Sequence, residues 1–413
     1  MCVPFSVSAR QSTNWLPKLR CNPIVSGMKL RNLLLIGGLL LSSSFTNAAD
    51  DRVVYPGGNG PGKGKHIVLV SGDEEYHSAE ALTQVGKILS VHHGFKCTVL
   101  FAIDPQTGLI NPVVRDNIPG LETLADADLM VLFTRWRILP DSQLKHIHDF
   151  VKSGKPIVGL RTATHPFAPN PEVHPKIRQW SRLMKRKPKE AGPRPEFTEK
   201  EWGKYGRFGD GYYGANKKWQ GGFGRYVIGE MWVAHHGHHK HESTLGLIAP
   251  GAKKHPIVRG VKDGDIWGST DVYTVGLTGD SKPLVLGQVM ARKGEYDAED
   301  VNFGMRPNDG PPIAEKNRPM MPVAWTKTYH DDGGKKGRVF STTMGAATDF
   351  ASAGLRRLVV NGVFWAMKME KRIPKQGTKV DLVGEFEPSQ YGFSTMEYWT
   401  KKNLRPKDFA LER

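Results

Sequence analysis

The stretch His66-Ile67-Val68-Leu69-Val70-Ser71-Gly72 decides how this chain reads. It is short, continuously apolar and closed by two small residues, as expected of a strand buried on both faces of a sheet. From Ser78 another period takes over: Ala81, Leu82, Val85, Ile88 and Leu89 recur at helical spacing until Gly94 stops them. Cys97 to Ala102 predicts a second strand and Leu129 to Phe133 a third. Asp141 to Val151 predicts a helix with Leu144, Ile147, Phe150 and Val151 on one face, ended by Ser153-Gly154 before the strand Pro156-Ile157-Val158-Gly159-Leu160. Strand, helix, strand, strand, helix, strand with short links specifies an α/β protein with one mostly parallel sheet flanked by helices. In such sheets a ligand lies beyond the carboxyl ends of the strands. Three polar loops leave those ends here: Ser71 to Ser78, Thr134 to Arg137 and Arg161 to Phe167.

Outward from this core the pattern changes. Residues 166–230 are rich in Pro, Gly, Lys and aromatics without a sustained period, which predicts a long insertion of the lid or disordered kind. Its part between Lys176 and Lys204 is dense in Arg and Lys with prolines between, and reads as a solvated segment rather than a recognition helix. Order returns at Val227-Ile228-Gly229, Thr244 to Ile248, Pro283 to Leu286 and the strand Arg338 to Thr342. A helix from Ala351 to Lys368 then carries Leu355, Leu358, Val359, Val363, Phe364 and Met367 on one face. The expected organisation is a linker over 50–65, one domain over 66–371 and a polar tail over 372–413.

Ahead of the linker, Met28-Lys29-Leu30-Arg31 is a positive start, Leu33 to Leu41 a short apolar run, and Asn47-Ala48-Ala49 a small-residue cleavage site. Residues 28–49 thus have the layout of a secretory signal, too short in its apolar part for the roughly 20 residues of a membrane span. Residues 1–27 match no targeting or folding pattern and read as a mis-assigned extension. Cleavage near Ala49 removes five basic residues and no acid, lowering the formal charge from +17 to +12. It also leaves Cys97 as the single cysteine, which excludes an intramolecular disulfide. Cys97 opens an apolar run and is read as a buried structural thiol. The chain is expected in the periplasm or secreted, without a membrane span when mature, and export takes it away from nucleic acid.

Several residue groups can carry chemistry. Asp73, Glu74, Glu75, Tyr76 and His77 follow the first strand; carboxylates beside an imidazole suit acid/base work or sugar hydroxyls, and equally suit a helix first turn. At the end of the fourth strand a sharp turn would resemble a nucleophile elbow, but its position holds Arg161, followed by His165. A guanidinium cannot attack a carbonyl, which excludes acyl transfer of the glutaminase type; it can clamp an anion or polarise a carbonyl oxygen. The tract His235-His236-Gly237-His238-His239-Lys240-His241-Glu242 places alternate rings on one side of an extended chain. A divalent metal, Zn²⁺ or Ni²⁺, held by His235, His236, His238 and His239 is one reading. A single catalytic or binding histidine is another, and a solvated basic loop the third.

Taken in order, several stretches resemble the ThuA-like (trehalose-utilisation) family. They are the first strand with His77, Val158-Gly159, Ile228 to Trp232 running into His235, His255-Pro256 to Gly260, Asp271 with Tyr273, Val323-Ala324-Trp325, Gly337-Arg338-Val339 and Trp365-Ala366. The resemblance spans about residues 66 to 368. It implies a flavodoxin-like, class I glutamine amidotransferase-like fold and a role in disaccharide catabolism, alongside a sugar oxidoreductase that makes 3-keto sugars. It also places His77, His235 and Asp271 in the cleft. Two departures stand out: Arg161 replaces a histidine common in the family, and Ala346 follows Gly345 where many members have Gly-His. The expected function is lyase, hydrolase or isomerase chemistry on a sugar or keto-glycoside, with His77, Arg161, His165 and His235 catalytic. Asp73, Glu74, Trp136, Trp232, Trp267, Asp271 and Trp325 would bind substrate. The alternative is a non-catalytic carbohydrate-binding or scaffold protein using the same cleft.

Overall fold

The computed structural model describes residues 51–292 and 310–411; the expected leader over 28–49 and the extension 1–27 lie outside the described residues. Strand β1 (Arg52–Tyr55) falls within the stretch read as a linker. The run quoted above is β2 (His66–Gly72), followed by α1 (Ser78–His93), β3 (Lys96–Leu100), β4 (Leu129–Thr134), α2 (Asp141–Lys152) and β5 (Ile157–Leu160). The insertion holds α3 (Val173–Arg186) and two single turns, α4 (Pro188–Ala191) and α5 (Glu199–Trp202). Beyond it come β6 (Ala234–His235), β7 (Glu242–Ile248), β8 (Ile266–Gly268), β9 (Tyr273–Thr274), β10 (Lys282–Ala291), β11 (Met321–His330), β12 (Lys336–Thr342), α6 (Ala353–Ala366) and, in the tail, α7 (Met396–Lys402).

Ten strands form one sheet in the order β1-β3-β2-β4-β5-β12-β11-β10-β7-β8. The five from β3 to β12 run parallel. That is the half the sequence signals: β2, β4 and β5 are unbroken apolar runs, and helical crossovers allow parallel neighbours. On the far side β11, β10, β7 and β8 continue the sheet as an antiparallel ladder, and β1 adds an antiparallel edge. The sheet is therefore mixed. β6 and β9 pair separately, setting His235 opposite Tyr273.

Two cores flank the sheet. Ile67, Leu69, Val99, Val131 and Leu160 face the packing residues of α1 and α6, including Leu82, Val85, Leu355 and Val359. Val68, Val70, Met130, Leu132 and Ile157 face the other way, onto Ile147 and Phe150 of α2 and onto the insertion. Here the lid-or-disorder expectation needs correction. Trp202, Phe208, Tyr212, Trp219, Phe223 and Ile228 are buried and belong to this second core. Large aromatics at irregular spacing bury a surface without any period to announce it, each stabilising by roughly 1.5–3 kcal/mol. Gly224 lets the insertion pass hard against the turn after β5, where a Cβ would collide with the Thr164 carbonyl. Cys97 is buried and its thiol is pushed up by that burial, as expected of an inert structural thiol.

Candidate functional site

The loops after β2, β4 and β5 are stitched together at the carboxyl edge. Arg135 pairs with Glu74 and, at 3.3 Å, with Glu75, and Arg137 reaches Glu74 at 2.6 Å. Thr162 Oγ1 donates to Asp73 Oδ2 at 2.5 Å, and the Trp136 amide donates to the His165 carbonyl at 2.9 Å. Each loop turns on a non-glycine residue with positive φ: His77 at 54°, Trp136 at 43° and Arg161 at 41°. Such conformations cost of order 1–3 kcal/mol each and gather at functional sites. The neighbourhood of β2 and β4 is also where the chain reverses its direction of travel across the sheet, the usual place for a ligand crevice.

At the centre lies Asp271, just before β9. Its Oδ1 accepts from Arg161 Nη2 at 2.9 Å and from His239 Nδ1 at 3.0 Å; its Oδ2 accepts from His235 Nδ1 at 2.7 Å. Burial alone would raise the Asp271 pKa, but the two imidazoles and the guanidinium outweigh it and hold the carboxyl well below the usual range. An ionised oxygen can only accept, so His235 carries its proton on Nδ1 and leaves the Nε2 lone pair free. Nε2 has no hydrogen-bond partner among the described residues, and the side chain is 37% exposed. His239 is held at both nitrogens, with Nε2 3.2 Å from Glu75. Burial disfavours its charge, yet the bonds to Asp271 and Glu75 raise its pKa above the ordinary histidine value. The result is a partly exposed imidazole beside a second one held between two carboxylates, their rings 4.8 Å apart.

Arg161 occupies the elbow position in a left-handed turn, and it is wholly buried. Nη1 donates to the carbonyls of Asp271 (2.9 Å) and Thr343 (2.6 Å), Nη2 to Tyr76 Oη (3.1 Å) as well as to Asp271. Its guanidinium lies between the rings of Tyr273 and Tyr76, at 3.8 and 4.5 Å. With its terminal nitrogens satisfied inside the protein, Arg161 supports Asp271; the expected clamp on a substrate anion is corrected accordingly.

Of the other expected residues, His165 is buried against Trp136 (4.7 Å) and Trp232 (5.9 Å), with Nδ1 2.9 Å from Thr164 Oγ1. Burial, then the guanidinium groups of Arg135 and Arg161, keep it neutral, its pKa well below 6.5. Trp232 is 5.5 Å from His235 and meets Trp136 edge-on at 6.2 Å, so these two rings form one wall of the cleft. His77 stands apart: its contacts are Glu80 at 3.3 Å and Trp399 of the tail at 5.3 Å, so it packs under α7 rather than beside His235. Asp73 accepts the amides of Glu75 and Tyr76 and shapes the loop. Glu74 is consumed by Arg135 and Arg137. Trp325 is core, its indole donating to the Ile228 carbonyl at 2.7 Å, and Trp267 lies on the edge strand β8. Within the histidine tract, His236 donates to the Lys316 carbonyl at 2.6 Å and His238 stacks on His241 at 4.2 Å. Neither joins the Asp271 cluster.

Glu75, Tyr76 and Tyr391 complete the site without having been assigned roles there. Tyr391, from the tail, donates to the Ser269 carbonyl at 3.1 Å and lies 5.3 Å from the His239 ring. No local signal marks it, because only the return of the tail across the sheet edge brings it in.

His235, His239 and Asp271 could also hold a cation, with ligand atoms within 4.8 Å of one another. Two ligands each about 2.1 Å from one ion span at most roughly 4.2 Å, so the cluster would have to tighten and lose the Nδ1 protons that now bridge to Asp271. The donor set fits zinc or nickel by chemistry; the hydrogen bonds present fit acid/base work without rearrangement.

A mixed α/β protein with a histidine–carboxylate dyad at its sheet edge is thus defined. No family model and no curated protein matches the chain. Among solved structures it is similar to a protein described as ThuA-like from Parabacteroides merdae, at 13% identity and TM-score 0.37, covering 81% of this chain and 98% of that one. A second, from Bacteroides uniformis and described likewise, shows 11% identity and TM-score 0.35, covering 75% and 93%.

Proposed function

We propose that this chain is an exported ThuA-like protein of the flavodoxin-like, class I glutamine amidotransferase-like fold, acting on a sugar or keto-sugar by histidine acid/base chemistry. The order of its parallel strands, second-first-third-fourth-fifth among β2, β3, β4, β5 and β12, is that of flavodoxin-like sheets. The observation that carries the reaction is the 2.7 Å bond between His235 Nδ1 and Asp271 Oδ2, with the side chain of His235 37% exposed and its far nitrogen without a partner among the described residues. A ketone acidifies the adjacent C–H. His235 Nε2 takes that proton, the C–H electrons form an enolate, and His239 beside it, whose charged form is favoured by Asp271 and Glu75, stabilises the developing negative charge. Return of the proton to the former carbonyl carbon, with the proton of the neighbouring hydroxyl passing to the enolate oxygen, gives isomerisation. Expulsion of the glycosidic oxygen as the enolate collapses, with the proton passing from His235 to that oxygen, gives elimination.

Purified protein and its His235→Ala variant should be incubated with a 3-keto-glucoside, with and without chelator. Product from the wild type alone, unaffected by chelator, is expected; no product under either condition ends the enzymatic reading. The cluster in reach of a cation favours one second reading, a metal-assisted reaction. Activity lost to chelator and restored by Zn²⁺ or Ni²⁺ would establish it in place of the first. Saturable sugar binding without turnover, unchanged in His235→Ala, would instead support a carbohydrate-binding or scaffold role.

A further inference from the structure

A cleft of about 340 Å³, at the small end of ligand pockets, is lined in part by Trp136 and by Trp232, whose ring lies 5.5 Å from that of His235. Four arginines line it. Arg178, Arg182 and Arg186 follow at four-residue intervals on α3, so they emerge from one face of the helix about one turn apart. Arg194 enters from the loop after α4, its guanidinium 4.9 Å over Trp180 and 4.8 Å over Tyr213. Arg178 lies 4.3 Å over Trp136.

We propose that this cleft is an anion subsite for a carboxylate- or sulfate-bearing sugar unit, adjoining the unit presented to His235. The proposal deepens the sugar reading by naming its substrate class. Like charges four residues apart on a helix repel, and among the described residues Arg178, Arg182 and Arg186 have no ion pair to relieve that repulsion. The acid in the lining, Asp210, accepts the Trp136 indole N–H at 3.0 Å. Burial, and then the guanidinium groups of Arg182 and Arg135, lower the proton affinity of Arg178 by more than the nearby Asp210 raises it, so positive charge is in excess in this lining. Guanidinium forks match carboxylate and sulfate oxygens two at a time, and the indoles of Trp136 and Trp180 back two of those guanidinium groups and hold them in place. Trp232 belongs both to this lining and to the surroundings of His235, so adjacent units of one saccharide could occupy the two places.

The test is calorimetric titration of the purified full chain with trigalacturonate, a sulfated disaccharide, a neutral trisaccharide and a single-stranded oligonucleotide. An anionic saccharide should bind saturably and roughly tenfold or more tighter than the neutral one. The carboxylate and sulfate arms identify which oxyanion is preferred. Arg182→Glu with Arg186→Glu, both at exposed positions and checked for an unchanged melting temperature, should remove that advantage. Arg182→Lys with Arg186→Lys should fall between. Equal binding of neutral and anionic sugars, unchanged affinity in the Glu variant, or tighter binding of the oligonucleotide overturns the proposal. Binding is read without turnover: discrimination without product removes the reaction and keeps the subsite, whereas turnover without discrimination does the reverse.

Discussion

Asp271 shows how one carboxylate can organise a site. Its two oxygens hold a buried guanidinium and two imidazoles, so removing its charge should act on stability and chemistry together. Asp271→Asn leaves Arg161 buried without a counter-charge, and a loss of roughly 3–5 kcal/mol in urea unfolding is expected; a loss below about 1 kcal/mol would mean that the pair is not the keystone described. His235→Ala leaves the buried Oδ2 of Asp271 without its hydrogen bond, so it should cost about 1–3 kcal/mol in urea unfolding while lowering turnover about 10²–10⁴-fold. His235 and Asp271 were legible in the sequence as residues of interest. Their bond was not, because 36 residues separate them and only the β6–β9 pairing brings them together. Arg161 was legible as an elbow residue, but its burial, and hence its supporting role, was not.

Elements tell a parallel story. The insertion reads as unstructured because its apolar residues keep no period, yet Phe208 is fully buried among Phe167, Trp219 and Phe223. Phe208→Ala should therefore cost about 3–5 kcal/mol by thermal or urea unfolding; a detached lid would lose almost nothing. The tail is read only as polar, and its use is local and specific. Tyr391→Phe removes the bond to the Ser269 carbonyl, with an expected cost of about 0.5–1.5 kcal/mol by urea unfolding.

At the scale of the whole molecule, buried histidines set the response to acid. Burial, then Arg115 and Arg178, pull His174 down to about 4, against roughly 6.5 when unfolded. Between those values the unfolded chain binds the proton and the folded one does not, so this contribution is complete above about pH 6.5 and is lost as the pH falls towards 4. His165 acts in the same direction. His239, raised by its carboxylates, acts oppositely: its contribution is present below the unfolded value and is lost as the pH rises through the folded one. Melting temperatures from pH 7 to pH 4 should fall, and His174→Gln should flatten part of that fall; an unaltered slope would contradict the neutral, buried state.

The order of apolar runs and helical periods along the first hundred residues of the domain was enough to specify parallel strands, their crossovers and the edge where a site must lie, because these signals are local and repeat over a few residues. The antiparallel half of the sheet, the core made by the insertion, the arrival of Tyr391 and the meeting of His235 with Asp271 were decided only by tertiary structure. Each depends on contacts between segments far apart in the chain. Such contacts leave no periodic trace in the residues that make them.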